Sequence, residues 1–143
     1  MARIKIDFPE KILARVQVPV RITDMNYGNH LGNDALVSIL HEARVKWLNN
    51  LNYTELNVEG AGLIMGELVV SYLNESFYGD VLTVQLAPGD ITGAGFELYY
   101  FLETNRNGKK ISIAKARTGM VCFDYSSRKV MPVPEKFLHI LQQ

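Results

Sequence analysis

Alternating apolar and polar positions come first along the chain. From Arg15 to Ile22, valine or isoleucine occupies every second position, and polar residues or proline lie between them. A period of two is typical of a strand with one buried face. Pro19 lies inside this run and has no N–H to donate, so we expect the strand at a sheet edge or at a bulge.

The next apolar pattern has the spacing of a helix. Between Asp34 and Leu51, apolar side chains recur every three or four residues, which places them on one face. These side chains are Leu36, Ile39, Leu40, Ala43, Trp47 and Leu51. We therefore predict one long helix from Asp34 to Leu51, with the side chain of Asn33 or Asp34 capping its first N–H groups.

Most of the remaining chain has the patterns of strands separated by turns. The predicted strands are Glu67–Leu73, Val81–Ala87, Phe96–Asn105 and Lys110–Asp124, and the turn signals are Tyr78-Gly79-Asp80, Pro88-Gly89-Asp90 and Asn105-Arg106-Asn107-Gly108. Connections this short predict that consecutive strands are antiparallel neighbours. The apolar segment after Pro134 is predicted to form a closing helix. Together the elements predict an α+β fold in which the sheet curls around the long helix.

Composition narrows the class of protein. A length of 143 residues fits one domain, which we assign to residues 1–143. Fifteen basic residues balance fifteen acidic ones, so no overall charge favours nucleic acid or an anionic membrane as a partner. The sequence shows neither an apolar stretch of about 20 residues nor a secretory signal, so we expect no membrane helix and a cytoplasmic location.

Cys122 is the only cysteine. It cannot form an intramolecular disulfide or a zinc site built from several cysteines, and its neighbours have the character of a strand. No base stands beside it in the sequence, which disfavours a catalytic nucleophile. We predict a buried structural thiol.

Residues 21–34, which join the first strand to the helix, carry most of the candidate chemistry. A carboxylate, amide side chains and a histidine are concentrated there: Asp24, Asn26, Asn29, His30 and Asn33. The start of a helix offers free backbone N–H groups and the positive end of the helix dipole, which can polarise a carbonyl or stabilise an oxyanion. The segment is therefore a candidate site for acyl transfer.

This segment, followed by Leu40-His-Glu-Ala-Arg-Val-Lys-Trp-Leu48, resembles the 4-hydroxybenzoyl-CoA thioesterase-like branch of the hot-dog superfamily. Members of that branch read Asp-x-Asp, Gly-His-x-Asn-Asn and then Glu-Ala-Arg on the helix. Tyr78-Gly-Asp-Val-Leu82 and the last hairpin are also similar. The resemblance implies a hot-dog fold, a curled antiparallel sheet wrapped around one central helix. It also implies hydrolysis of an acyl-CoA or acyl-acyl carrier protein thioester without a metal or cofactor.

The resemblance also implies roles for individual residues. In the family an acidic residue acts as nucleophile or general base, and a backbone N–H at the helix start polarises the thioester carbonyl. By position, Asp24 matches the first acid, Asn26 the second and His30 the histidine, so these three are the predicted catalytic residues. The predicted substrate-binding residues follow at the helix start: Gly32, Asn33 and Asp34. Gly32 stands where the family often has another Asn.

Asn26 departs from the family, because the second acid usually has the catalytic role. An amide is not a useful base near neutral pH. Asp24 or His30 is then expected to activate water, while Asn26 orients the water or the substrate. Two alternatives stay open: a non-catalytic protein that binds acyl thioesters, and a related dehydratase. Glu42 on the helix is expected to pair with Arg44 or Arg21 instead of acting on the substrate.

A homo-oligomer is expected on physical grounds, since a half-barrel sheet leaves an edge of unpaired N–H and C=O groups. The predicted strand from Phe96 to Asn105 has apolar side chains on both faces, consistent with a helix on one side and another protomer on the other. We predict a dimer at minimum, with a tetramer as the alternative.

Overall fold

The chain folds into one antiparallel sheet and two α-helices, in a computed structural model that describes residues 4–143. The strands are β1 (Ala14–Pro19), β2 (Gly62–Tyr72), β3 (Val81–Ile91), β4 (Gly95–Arg106), β5 (Lys109–Asp124) and β6 (Lys129–Val130). The helices are α1 (Asn33–Asn50) and α2 (Glu135–Gln142). The strand order is β1-β3-β4-β5-β2, and the short β6 pairs with the end of β5.

The core lies between α1 and one face of the sheet. Alternate residues of the central strands are fully buried on that face, among them Leu82, Val84, Leu98, Tyr100, Leu102, Ala114 and Ala116. The apolar stripe of α1 is buried against them from Leu36 to Trp47, whereas Leu51 lies beyond the helix end and is half-buried. This arrangement confirms the predicted α+β hot-dog plan.

The chain leaves β1 earlier than its alternation predicts. β1 is an edge strand, as Pro19 indicated, but the inward position predicted for Ile22 is wrong, because this side chain is 66% exposed. Ile22–Asp24 form a 3-10 turn, and the carboxylate of Asp24 accepts the N–H of Arg21 at 2.8 Å. This local side-chain hydrogen bond competes with continuation of the strand.

Strand order differs from the prediction based on short connections. β3, β4 and β5 are consecutive antiparallel neighbours, and the turn at Asn107 and Gly108, both with positive φ, is confirmed. In contrast, β2 pairs with β5 and not with β3. Pro88-Gly89-Asp90 is not a turn either; it lies inside β3 at a bulge, and the turn follows at Thr92–Gly95. Turn residues indicate where a chain can bend, but they do not determine which strands pair.

Helix α2 closes one end of the core. The predicted helix after Pro134 is confirmed, and its Phe137 is fully buried. The Phe137 ring contacts three aromatic rings, those of Trp47, Tyr53 and Phe96, at centroid distances of 5.8, 5.9 and 5.4 Å. Within residues 4–143, no helix is long and apolar enough to cross a membrane.

The N-terminal segment packs on the outer face of the sheet, which the sequence did not predict. The ring of Phe8 contacts that of Phe101 at 5.8 Å, and Ile6 is buried. Part of the outer apolar face of β4 is therefore covered by the same chain.

Cys122 is fully buried, and burial raises the pKa of its thiol to about 11. We therefore expect native protein at pH 8 to react slowly with a thiol reagent such as a maleimide, because the thiolate is the reactive form. Protein unfolded in guanidinium chloride should incorporate one equivalent within minutes. Labelling of the native protein at the rate of the unfolded protein would contradict burial of the thiol.

Candidate active site

Asp24 anchors the loop that precedes α1. Its side chain is 5% exposed, and its two carboxylate oxygens accept hydrogen bonds from Arg21: the backbone N–H at 2.8 Å and guanidinium Nη2 at 3.2 Å. Its backbone carbonyl accepts the N–H of Gly32 at 3.0 Å, which ties the start of the loop to the helix. The carboxylate of Asp24 is thus largely engaged in holding the loop.

Asn26 shapes the turn of the same loop. Its Oδ1 accepts the backbone N–H of Gly28 at 2.9 Å and that of His30 at 3.3 Å, and its own N–H donates to the carbonyl of His30 at 2.9 Å. Its Nδ2 makes no hydrogen bond among the residues that the structure describes. This amide group is therefore available to donate to a carbonyl oxygen or to orient a water molecule.

The ring of His30 lies over Gly28, next to the Asn26 side chain. Its Nδ1 is 3.3 Å from the carbonyl oxygen of Leu31, so protonation of Nδ1 makes this a hydrogen bond and leaves Nε2 as an acceptor. A Cβ at Gly28 would lie 3.1 Å from His30 Nε2 and 3.3 Å from Asn26 Oδ1. The absence of a side chain at Gly28 therefore keeps the two functional groups side by side and accessible.

The start of α1 lies beside these side chains. The predicted cap by Asn33 or Asp34 is wrong: Gly32 is the N-cap, and no side chain accepts the first N–H groups. In residues 4–143, the N–H groups of Asn33, Asp34 and Ala35 have no hydrogen-bond partner, so they can bind an oxygen of a ligand. A side chain fits poorly at this N-cap, since a Cβ on Gly32 would lie 2.8 Å from Asp34 Oδ1 and 3.6 Å from Asn26 Cβ.

The structure thus brings together Asn26, His30, Gly32 and Asp34, all four predicted from the sequence. Asn33 takes part through its backbone, because its carbonyl accepts the hydroxyl of Tyr72 at 2.9 Å. Tyr72 belongs to β2 and was missed, although the alternation Leu68, Val70, Tyr72 placed it on the face toward the helix. Burial, with nearby Asp34, raises the pKa of Tyr72, which favours its protonated, hydrogen-bonding form.

The connection between β2 and β3 is hydrogen-bonded to the loop that precedes α1. The backbone carbonyl of Ser76 accepts the N–H of Leu31 at 2.7 Å. Asp80 holds this connection in place, because its carboxylate accepts the Ser76 hydroxyl at 2.8 Å, the Phe77 N–H at 2.9 Å and Arg106 Nη2 at 2.6 Å. Burial raises the pKa of Asp80, but the hydrogen bonds from Arg106, Phe77 and Ser76 together lower it below its ordinary value.

Asp80→Asn is expected to destabilise the protein at pH 7 but much less in acid. A lowered folded-state pKa means that the carboxylate contributes stability above its unfolded pKa of about 4 and loses it as the pH falls through the folded value. Loss of charged hydrogen bonds predicts a decrease in Tm of roughly 5–10 °C at pH 7. Thermal unfolding of the variant and the wild type at pH 7 and pH 3 measures the change in Tm. Asp90→Asn is the control, because Asp90 is an exposed residue of β3. Equal losses of Tm at both pH values would contradict the assignment.

Cavities flank α1 on both sides. The cavity on the β1 side has a volume of about 500 Å³ and is lined by Arg21, Asp24, His41 and Glu42. The predicted pair of Glu42 with Arg44 is wrong, because Arg44 pairs with Glu55 at 2.6 Å, and Glu42 and Arg21 line this cavity without forming an ion pair with each other. Residues two positions apart on a helix, such as Glu42 and Arg44, do not face each other, whereas tertiary packing brings Glu55 to Arg44.

A smaller cavity of about 220 Å³ adjoins the loop. Its lining includes His30, Asn33, Leu36, Tyr72 and Ser76. In the described part of the chain, no three His, Cys, Asp or Glu side chains are grouped where they could bind one metal ion. The chemistry that these residues offer is a histidine base, amide donors and helix N–H groups that can bind a carbonyl oxygen.

Comparison with known proteins places the chain in a family. The model of the thioesterase-like superfamily matches residues 20–141. A 1,4-dihydroxy-2-naphthoyl-CoA hydrolase of Acaryochloris marina is 31% identical over 74 residues, so the match spans about half of each protein, 52% of this chain and 53% of that one.

Solved structures share the fold. The 1,4-dihydroxy-2-naphthoyl-CoA thioesterase of Synechocystis superposes with a TM-score of 0.77 at 19% identity, over 90% of this chain and 95% of that one. A 4-hydroxybenzoyl-CoA thioesterase with an Asp-to-Asn mutation, complexed with 4-hydroxybenzoyl-CoA, gives a TM-score of 0.80 at 14% identity, over 90% and 97%. From the extent of the family match, the chain belongs to the thioesterase-like superfamily.

Proposed function

We propose that this protein hydrolyses an acyl thioester of coenzyme A to the free acid and the thiol. The observation that carries the proposal is the meeting of His30, the free amide of Asn26 and the unpartnered N–H groups of α1 around Gly32. These groups supply the two requirements of acyl transfer to water, a base and a site for the oxyanion. Membership of the thioesterase-like superfamily and the names of the relatives support the same reaction.

In the proposed reaction the thioester carbonyl oxygen accepts hydrogen bonds from N–H groups in the first turn of α1. His30 Nε2 removes a proton from a water molecule, whose oxygen attacks the carbonyl carbon and forms a tetrahedral oxyanion. The oxyanion collapses, the C–S bond breaks, and the thiolate of coenzyme A takes the proton from His30. Asn26 Nδ2 positions the water or the substrate. Asp24 acts as a positioning residue, because its carboxylate is bound by Arg21.

Two copies of the chain are proposed to pair along β2. This strand of eleven residues lies at the sheet edge, and its Ile64 and Met65 are 36% and 40% exposed. Antiparallel pairing of two such edges would satisfy their free N–H and C=O groups and cover these side chains. A tetramer, acyl carrier protein as the carrier and a cytoplasmic location stay predictions of the sequence.

Release of free thiol from a panel of acyl-CoA esters tests the reaction. The purified protein is expected to release thiol and the matching free acid, identified by mass spectrometry, from at least one ester. The buried thiol of Cys122 adds no background to the assay. Absence of thiol release from every ester would overturn the proposal.

A non-catalytic acyl-thioester-binding protein is the second candidate, favoured by the amide at position 26. Asn26→Asp separates the two functions, because an aspartate oxygen can accept the same N–H groups of Gly28 and His30 and leave the turn intact. Turnover by the wild type supports the hydrolase. An inert wild type that gains hydrolysis on Asn26→Asp supports the binding protein.

A further inference from the structure

The groove between α1 and β2 has a polar end that the proposed hydrolysis does not use. We infer that this groove binds the acyl group, and that Arg44 and Thr118 recognise a neutral hydroxyl or keto oxygen at the far end of a medium-length chain. The inference rests on the proposed function and names its substrate class.

The walls of the groove are apolar. Val37 and Leu40 of α1 face Met65 and Leu68 of β2 across a cavity of about 280 Å³. Such a lining favours hydrocarbon over charged or strongly hydrated groups. The groove therefore suits the methylene part of an acyl chain.

Two hydrogen-bond donors remain at the end of the groove. Arg44 is 5% exposed; its Nε donates to Glu55 at 2.6 Å and its Nη1 to the Tyr100 hydroxyl at 3.0 Å. The Tyr100 and Thr118 hydroxyl oxygens are 2.8 Å apart, so if Tyr100 donates to Thr118, the Thr118 hydroxyl hydrogen stays free. Arg44 Nη2 has no hydrogen-bond partner among the described residues. Nη2 is not completely buried, so a ligand can reach it.

These two donors predict an acceptor oxygen on the ligand. Both residues line the cavity, and Thr118 is fully buried, so an oxygen must enter the end of the groove to accept from Arg44 and Thr118 together. A plain alkyl chain would cover the Arg44 guanidinium without supplying an acceptor, which is costly, whereas an acyl chain that carries an oxygen at this end avoids that cost.

The charge balance favours a neutral oxygen over a carboxylate. Glu55 neutralises Arg44, and its second carboxylate oxygen faces His41 Nε2. A carboxylate at this end of the groove would add a buried negative charge next to a pair that is already balanced. A hydroxyl or keto oxygen accepts the same hydrogen bonds without that cost.

The length of the groove sets the length of the chain. Asn33 lines the cavity beside the loop, and Val37, Leu40 and Arg44 continue its stripe along the cavity between α1 and β2. The Arg44 side chain reaches back to the level of His41, because both bind the carboxylate of Glu55, and the rise from Asn33 to His41 is about 12 Å. Tyr72, which bonds to Asn33, pairs with Ala114, and Leu68 pairs with Thr118. The four residue steps from Leu68 to Tyr72 along β2 span about 13 Å.

An extended chain advances about 1.2 Å per bond, as a fully extended backbone does, so about ten bonds, counting the C=O bond at the far end, reach from the loop to Arg44. An acyl group with a single aromatic ring would reach about half as far. The groove therefore fits an acyl chain of about ten carbons.

Decanoyl-CoA and 9-oxodecanoyl-CoA are a matched pair for the test. The wild type is expected to show a kcat/KM at least 10-fold higher for the keto ester, mainly through KM. Thr118→Val should reduce this preference to below 3-fold, and Thr118→Ser should retain the preference. Thr104→Val is the control, because Thr104 is a buried threonine of β4 that donates to the Val81 carbonyl. Thr118→Ala replaces the valine variant if that variant does not fold.

Calorimetric Kd values for both esters separate failure of the inference from failure of the proposed hydrolysis. If neither ester is hydrolysed, the hydrolase proposal fails, and a 10-fold lower Kd for the keto ester that is lost in Thr118→Val still supports the inference. Equal kcat/KM and equal Kd for the two esters overturn the inference, whether or not hydrolysis is observed. A preference that persists in Thr118→Val also overturns the role of this residue.

Discussion

His30→Gln is expected to lower kcat for thioester hydrolysis at least 100-fold and to change Tm by no more than about 2 °C. General base catalysis by a histidine contributes about 10²–10⁴ in rate, and glutamine cannot replace it. The ring of His30 makes one weak hydrogen bond, to the Leu31 carbonyl at 3.3 Å, so the fold loses little. Thiol release under saturating substrate and thermal unfolding of the same preparations measure the two quantities.

His139→Gln is the matched control for this experiment. His139 lies on the exposed face of α2 and its ring is 3.9 Å from the carboxylate of Glu135, so neither activity nor Tm should change. Activity of His30→Gln within 3-fold of the wild type would remove His30 from the mechanism.

Asp24→Asn separates the base from the residue that positions it. Because both oxygens of Asp24 are bound by Arg21, this variant is expected to lower Tm together with activity. If Asp24→Asn loses most of its activity at an unchanged Tm while His30→Gln stays active, the base is Asp24.

Phe137→Ala is expected to lower the free energy of unfolding by about 3–5 kcal/mol, the range for truncation of a buried aromatic side chain. Phe137 is fully buried among the rings of Trp47, Tyr53 and Phe96, so its truncation removes these contacts and leaves a cavity among the three rings. Urea unfolding followed by tryptophan fluorescence is well suited to the measurement, because Trp47 contacts the mutated ring. Lys136→Ala on the exposed face of α2 should change stability by less than about 0.5 kcal/mol.

A loss below about 1 kcal/mol for Phe137→Ala would show that α2 is not an integral part of the core. Because Phe137 does not line the cavity next to His30, kcat below the melting transition should stay close to that of the wild type. The pair of experiments thus separates residues that support the fold from residues that support the reaction.

The sequence by itself determined the elements and most of the loop chemistry. Periods of two and 3.6 residues predicted β1, the central strands and the buried stripe of α1, because these patterns reflect which face of an element is removed from water. The cluster Asn26, His30, Gly32 and Asp34 was also predicted, since its members lie within nine residues and a single loop brings them together.

The tertiary structure decided what depends on distant parts of the chain. β2 pairs with β5, a strand far from it in the sequence, and no local turn signal specifies this pairing. Arg44 pairs with Glu55 and reaches Tyr100, and Tyr72 reaches Asn33, across separations that periodicity does not encode. The N-cap at Gly32 is held by a hydrogen bond from its N–H to the backbone carbonyl of Asp24. The turn that exposes Ile22 is held by the hydrogen bond from the Arg21 N–H to the Asp24 carboxylate, whose strength depends on how deeply the folded chain buries that carboxylate.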